Sequence, residues 1–147
     1  MKIAALLDFA LGRIRQMTAP TEIILGPLDF QSSRDGSFFK YQYRSTTASE
    51  LLCMNNADEA GANFVVPVGC KATKIIVYGT STEIWTVARQ DPANNGGDLE
   101  TTGGVVGTEK DITHIPYAAG MICYLEVDMM AGDHIHGAKI TLESIDD

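Results

Sequence analysis

Three arrangements in this chain carry residue types that could do chemistry. The first is Asp133-His134-Ile135-His136. Residues two apart on a strand point the same way, so both imidazoles could reach one metal ion. A cupin-type barrel completes such a pair with a Glu beyond a gap of three or four residues. Here those positions hold Ile140 and Thr141, and the next carboxylate is Glu143. His114 would serve as a further ligand only if the fold brought it close. No metal is therefore assigned; His134 and His136 are kept as the candidates, and two solvent-facing histidines beside a turn is the plainer expectation. The second arrangement is Glu126 and Asp128, i and i+2 neighbours able to share a proton or a sugar hydroxyl, although a solvated strand face explains them as well. The third is aromatic. Trp85 and Tyr78 could form a sugar-stacking platform, but Trp85 stands mid-strand and is expected in the core.

Nucleotide and nucleophile chemistry find no support. Gly103-Gly104-Val105-Val106-Gly107-Thr108-Glu109-Lys110 has the glycine density of a phosphate-binding loop, yet it lacks Gly-Lys-Ser/Thr and no helical pattern follows. No Gly-x-Ser-x-Gly occurs, and Cys70 has no His near it in the sequence.

The elements that must position these residues are strands. The densest stretch is Asn63–Gln90, with Phe64-Val65-Val66, Ile75-Ile76-Val77-Tyr78 and Ile84-Trp85-Thr86-Val87-Ala88 separated by Pro67-Val68-Gly69 and Gly79 to Glu83. β-Branched and aromatic runs broken by Gly, Pro, Ser and Thr mark strands and turns, here expected at the centre of a sheet. Upstream, Thr21 to Leu28 reads as a strand stopped by Gly26-Pro27, Phe38 to Arg44 alternates with period two, and Ser49 to Met54 is a short apolar strand. Asn55 to Asn63 reads as a connection. Downstream, Asp91 to Asp111 reads as a long Gly- and Asn-rich loop with Asn95-Gly96 as its turn signal. Ile112 to Tyr117 is a strand closed by Pro116. Met121, Cys123, Leu125, Val127 and Met129 then form one wholly apolar face of the clearest two-faced strand. Ile135 does not share the parity of Ile140 and Leu142, so a bulge is expected at Gly137. Eight or nine short strands without helices between them predict a mainly β fold, an antiparallel β-sandwich or jelly roll.

Before these strands, Met1 to Met17 places Ile3, Leu7, Ala10, Ile14 and Met17 at alternating spacings of four and three. That is the seam of an amphipathic helix ended by Pro20, and Asp8 interrupts it as a signal-peptide core. The expected organisation is an arm over residues 1–19 and one sandwich domain over 20–147. The seam packs either on its own domain or on another subunit.

Composition bounds the function. The 147 residues carry 45% apolar and 20% charged residues, an ordinary globular balance. The net charge of −8 is uneven: Asp91 to Asp147 holds two basic against eleven acidic residues. Such a half does not suit a phosphate backbone, so no nucleic-acid partner is expected, and no apolar run is long enough to span a membrane. Cys53, Cys70 and Cys123 are odd in number, lack CxxC spacing and lie in apolar surroundings, as buried free thiols do.

Two phrases carry a resemblance. Phe64-Val65-Val66-Pro67-Val68-Gly69-Cys70-Lys71 is similar to the lead-in of many small phage virion β-sandwich proteins, and Ala131-Gly132-Asp133-His134-Ile135-His136-Gly137 resembles the turn near their end. The resemblance implies a capsid decoration (cement) protein: a non-enzymatic virion component without cofactor, assembled in the host cytoplasm. It further implies a homo-oligomer, favoured as a trimer, that sits on the major capsid protein. The seam Ile3, Leu7, Ala10, Ile14 and Met17 would then be the oligomer or partner contact. The alternative is a carbohydrate-binding β-sandwich module, fibre- or lectin-like, exposing Tyr41, Tyr43 or Tyr117 beside the 91–111 stretch. A metal-dependent cupin-like enzyme is the third reading.

Overall fold

The structure, a computed structural model, describes residues 21–32, 39–44, 48–54, 58–80, 83–91, 97–116 and 121–145. The expected N-terminal helix and its seam, Ile3, Leu7, Ala10, Ile14 and Met17, lie outside them. So does Tyr117, and the side chains of Tyr41 and Tyr43 are not among those described.

Eleven strands and one short 3-10 helix make up the described chain. In order they are β1 (Glu22–Leu25), the 3-10 turn Pro27–Asp29, β2 (Gln31–Ser32), β3 (Phe39–Arg44), β4 (Ala48–Cys53), β5 (Asp58–Phe64) and β6 (Cys70–Gly79). They continue as β7 (Ile84–Asp91), β8 (Gly97–Val105), β9 (Lys110–Pro116), β10 (Ile122–Met129) and β11 (His134–Ser144). The first sheet runs β3-β4-β11-β6-β9, with β1 also paired to β11; the second runs β2-β5-β10-β7-β8. Every pairing is antiparallel. The fold is thus the expected antiparallel two-sheet sandwich, and among the described residues no α-helix occurs.

Period-two alternation decides what each strand buries. Along β10, Cys123, Leu125, Val127 and Met129 are buried, while the residues between them are only partly covered. Opposite, Trp85 and Val87 of β7 and Ala60, Ala62 and Phe64 of β5 turn the same way. The first sheet answers with Leu51, Ile75, Val77, Ile135, Ile140 and Leu142. Trp85 is fully buried, and Cys53, Cys70 and Cys123 are buried thiols outside any disulfide, as the sequence predicts.

Three expectations are corrected. The dense stretch from Asn63 to Gln90 is not the centre of one sheet: β6 belongs to the first sheet and β7 to the second, and the central strands are β11 and β10. Asn55 to Asn63 is not simply a connection, because β5 occupies most of it. Its alanines look like loop composition, yet Ala60 and Ala62 are fully enclosed core residues that face Val127 and Leu125. The predicted 91–111 loop contains β8, paired with β7 from Ile84↔Val105 to Asp91↔Gly97 with one register shift between Arg89 and Gln90. Glycine is there for packing: a side chain at Gly104 would run into the Trp85 indole. The turn after β8 then crosses to the first sheet, with Gly107 N donating to Val77 O (2.8 Å) and Val106 N to Glu83 O (3.1 Å).

The bulge expected in β11 is present. Its register against β6 shifts between Ile135 and Gly137, and Gly137 adopts φ 145°. A Cβ at Gly137 would collide with the Leu25 carbonyl oxygen, so glycine lets β1 close on β11 and resets the buried parity from Ile135 to Ala138.

Candidate functional site

The outer face of the second sheet collects the polar residues that its inner face excludes. Register places Asn63 opposite Tyr124, Gly61 opposite Glu126 and Glu59 opposite Asp128, all pointing away from the core. On the other side of β10, Tyr124 and Glu126 are flanked by Ala88 and Thr86. Among the described residues, Tyr124 is the one large ring on this part of the face.

Its placement depends on Gly61. A Cβ built there would fall on the Tyr124 hydroxyl and the adjoining ring carbons, so the ring lies across the β5 backbone where a side chain would otherwise stand. The phenol is hydrogen-bonded with Glu126. Desolvation, reinforced by the negative charges of Glu126 and Glu59, raises its pKa above the ordinary tyrosine value. Tyr124, Gly61 and Asn63 form one side of a cleft of about 270 Å³, and Gln31, Ser32 and Asp29 form the other. Asp29 is fixed by an Oδ2 that accepts the Gly26 N–H at 2.7 Å, which ties the 3-10 turn to the cleft rim. Amides, a hydroxyl, a carboxylate and one aromatic ring around a shallow concavity suit a polyhydroxylated ligand with one apolar face.

Beside the cleft, carboxylate oxygens of Glu59, Glu126 and Asp128 lie within 4.8 Å of one another. Desolvation and then the Glu59 charge raise the Asp128 pKa. An all-oxygen set of this kind suits a hard cation, but carboxylates gather on exposed sheet faces without one. Among the strand residues of the second sheet the only basic one is Arg89, which pairs with Cys123 and so has the parity of the core positions. Lys71, Lys74, Lys110 and Lys139 all belong to the first sheet, where Lys71 pairs with Glu143 at 3.9 Å and Lys74 with Glu109 at 3.8 Å.

The sequence candidates are distributed as follows. Glu126 and Asp128 share the outer face of β10 as expected. Trp85 is core and offers no platform; Tyr78 is 42% exposed but stands on the first sheet, away from the cleft. His114 lies in β9, separated from β11 by β6, so it is not brought to the histidine pair. His134 and His136 do face one way, toward Glu50 of β4, with His134 Nδ1 3.0 Å and His136 Nδ1 4.0 Å from Glu50 Oε2. Sequence reasoning overlooked Glu50, Asn63, Gln31, Gly61 and Tyr124. Only Tyr124 left a signal, because it shares the outward parity of Glu126 and Asp128 in the clearest strand.

No family model matches the chain, and no curated protein matches it. Solved structures do resemble the fold. A family 61 carbohydrate-binding module in complex with β-1,4-galactotriose superposes with a TM-score of 0.52 at 14% identity, covering 81% of this chain and 90% of that one. The C-terminal family 6 carbohydrate-binding module of a marine laminarinase from Zobellia galactanivorans gives 0.51 at 12% identity, covering 82% and 98%. A family 35 carbohydrate-binding module from Clostridium thermocellum gives 0.50 at 14% identity, covering 85% and 99%. These likenesses overturn the virion, capsid, cement and bacteriophage assignment of the sequence reading. The phrases that carried it, Val66-Pro67-Val68-Gly69 and Ala131-Gly132-Asp133, shape turns at strand ends, and any sandwich needs such turns. In fold, the chain is a β-sandwich of the kind found in carbohydrate-binding modules.

Proposed function

We propose that the chain is a non-catalytic carbohydrate-binding module and that it holds its ligand on the outer face of the second sheet. The observation that carries this reading is the Tyr124 ring laid across Gly61 at the edge of the Asn63–Gln31 cleft. A pyranose stacks one C–H face on such a ring, while Asn63, Gln31 and Ser32 exchange hydrogen bonds with its hydroxyls. The fold likeness to carbohydrate-binding modules supports the reading, since it is the alternative that the sequence itself raised. The acidity of the face favours neutral glycans, because uronates and sulfated sugars would be repelled by the carboxylates of Glu59, Glu126 and Asp128.

The test is a glycan array followed by calorimetric titration with neutral oligosaccharides. Binding that Tyr124→Ala weakens about tenfold is expected; an aromatic contact contributes roughly 0.5–1.5 kcal/mol beyond the area it covers, and 1.4 kcal/mol is tenfold. An array without hits, or hits that Tyr124→Ala leaves unchanged, overturns the reading.

A further inference from the structure

Tyr78, remote from the cleft, belongs to a second grouping on the outer face of the first sheet. Ile75 and Val77 are fully buried, so Ile76 and Tyr78 turn outward; Ala138 and Ile140 are buried, so Lys139 does too. Register across three strands builds the face. Ile24 of β1 stands opposite Lys139 of β11, and Lys139 stands opposite Ile76 of β6. Two positions along, Tyr78 stands opposite Gly137, so the facing position of β11 sets no side chain against its ring. Tyr78 keeps 42% of its surface exposed and Ile24 62%.

We propose that this face binds an anionic sugar, a uronate or a sulfate ester, with Tyr78 stacking on the pyranose ring and Lys139 holding the negative group. Lys139 carries the argument. Among the described residues Lys71 pairs with Glu143, Lys74 with Glu109 and Asp111, and Lys110 donates to the Gly103 carbonyl. The Lys139 ammonium has neither an ion pair nor a hydrogen bond among those residues. The outward carboxylate of β1, Glu22, belongs to the next row, opposite Thr141. Lys139 is half-buried, with Ile24 on one side and Ile76 on the other, so its stem lies along apolar surface. Those flanks displace water from around the charge, and an arriving anion is attracted more strongly than at an open lysine.

Lys139 and Tyr78 are diagonal neighbours on adjacent strands, a relation that sets residues about 7–8 Å apart. One pyranose stacked on the ring can therefore carry its charged substituent to the ammonium. Ring and cation select the ligand together: a neutral sugar forgoes Lys139, and a small inorganic anion forgoes Tyr78. The second sheet, with Glu59, Glu126 and Asp128 on its outer face, has the opposite preference, so the two faces sort sugars by charge. That the ligand is a sugar rests on the function proposed above, but the residues are all different from those of the Tyr124 cleft.

The experiment is calorimetric titration of the full chain with an oligogalacturonate, a sulfated galactan fragment and a neutral galactan fragment, at low and high salt. Saturable binding of an anionic fragment is expected, weaker at high salt, and the better of the two identifies carboxylate or sulfate as the group held. Lys139→Gln and Tyr78→Ala should each weaken it about tenfold, the effect of one charge-assisted hydrogen bond or one stacked ring. Lys139→Arg and Tyr78→Phe keep the charge and the ring and should retain it, which separates a binding role from a folding one. Tyr124→Ala should leave anionic binding unchanged, and Lys139→Gln should leave neutral binding unchanged. Absence of saturable binding by both anionic fragments overturns the proposal, as does binding that survives both Lys139→Gln and Tyr78→Ala. Equally tight binding of polyglutamate also overturns it, because the face then serves acidic peptides. Neutral binding without anionic binding sinks this proposal alone; anionic binding without neutral binding sinks the Tyr124 site alone.

Discussion

Gly61→Ala separates the site from the fold better than any other single change. The added Cβ would occupy the space of the Tyr124 hydroxyl and ring edge, with ring atom Cε2 at 2.6 Å, so the ring must leave the β5 backbone. The stability terms nearly cancel. Alanine in place of a strand glycine gains about 0.5–1 kcal/mol. Displacing the ring gives up its hydrogen bond with Glu126, about 0.5–1.5 kcal/mol, on a face that is already partly solvated. The net change in folding stability is therefore expected within about 1 kcal/mol, a Tm shift of roughly 2–4 °C at most. Glycan affinity should fall about tenfold or more, because the stacking surface moves away from Asn63 and Gln31.

An independent reading of the ring comes from its ionisation. Burial, then Glu126 and Glu59, hold the Tyr124 phenol above the usual 10.0. The folded state keeps this proton longer than the unfolded chain does. That contribution to stability is complete below about pH 10 and is lost as pH rises through the folded value. Absorbance titration of the tyrosinates, with Tyr124→Phe identifying the late component among the five tyrosines, should show it returning toward 10.0 in Gly61→Ala. A late component that persists means the ring still covers residue 61, which contradicts the close approach. A normalised phenol with undiminished glycan binding removes Tyr124 from the site.

Two further changes test the fold itself. Asp128 stands directly opposite Glu59, and desolvation and that charge raise its pKa, so the ionised form opposes folding; Asp128→Asn should stabilise the chain by about 0.2–1 kcal/mol at pH 7 in urea unfolding. The sign follows from the raised value: the parent's favourable contribution is complete below pH 3.8 and lost as pH rises, so the advantage of the variant should vanish at pH 3. Gly137→Ala forces a residue with a side chain into φ 145° against the Leu25 carbonyl, and should cost about 1–3 kcal/mol and loosen β1 from β11, seen as faster amide exchange across Ile23 to Leu25.

How much of this was legible beforehand depended on which signal each element used. β10 announced itself because its alternation covers eight residues with one face fully apolar, and the parity change across Gly137 predicted the bulge before any register was known. β5 and β8 were hidden for a common reason. Their small residues serve packing partners remote in sequence: Ala60 and Ala62 meet Val127 and Leu125, and Gly104 gives way to Trp85. A glycine or alanine demanded by a neighbour looks, in a single sequence, the same as one demanded by a loop. The split of β6 and β7 between sheets was equally invisible, since consecutive strands normally pair and nothing in their apolar pattern says otherwise.

Two groupings of polar residues were hidden by the same property. Asn63 and Tyr124 are paired only by the register of β5 against β10, and Glu50 meets His134 and His136 only because β4 lies along β11. Each constellation joins residues about sixty or more positions apart, whereas sequence motifs are read over a few residues, where cupin spacing and phosphate-loop spacing can be checked and rejected. This also explains why the phage resemblance misdirected the functional reading. Its matched residues, Pro67-Val68-Gly69 and Ala131-Gly132-Asp133, close turns by local bonds such as Cys70 N to Pro67 O at 3.1 Å and Asp133 N to Met130 O at 3.0 Å. Turn chemistry of that sort travels with the sandwich whatever the sandwich binds. What distinguishes one sandwich from another is the outward parity of its strands. In this chain that parity puts a tyrosine over a glycine on one sheet and two histidines over a buried glutamate on the other.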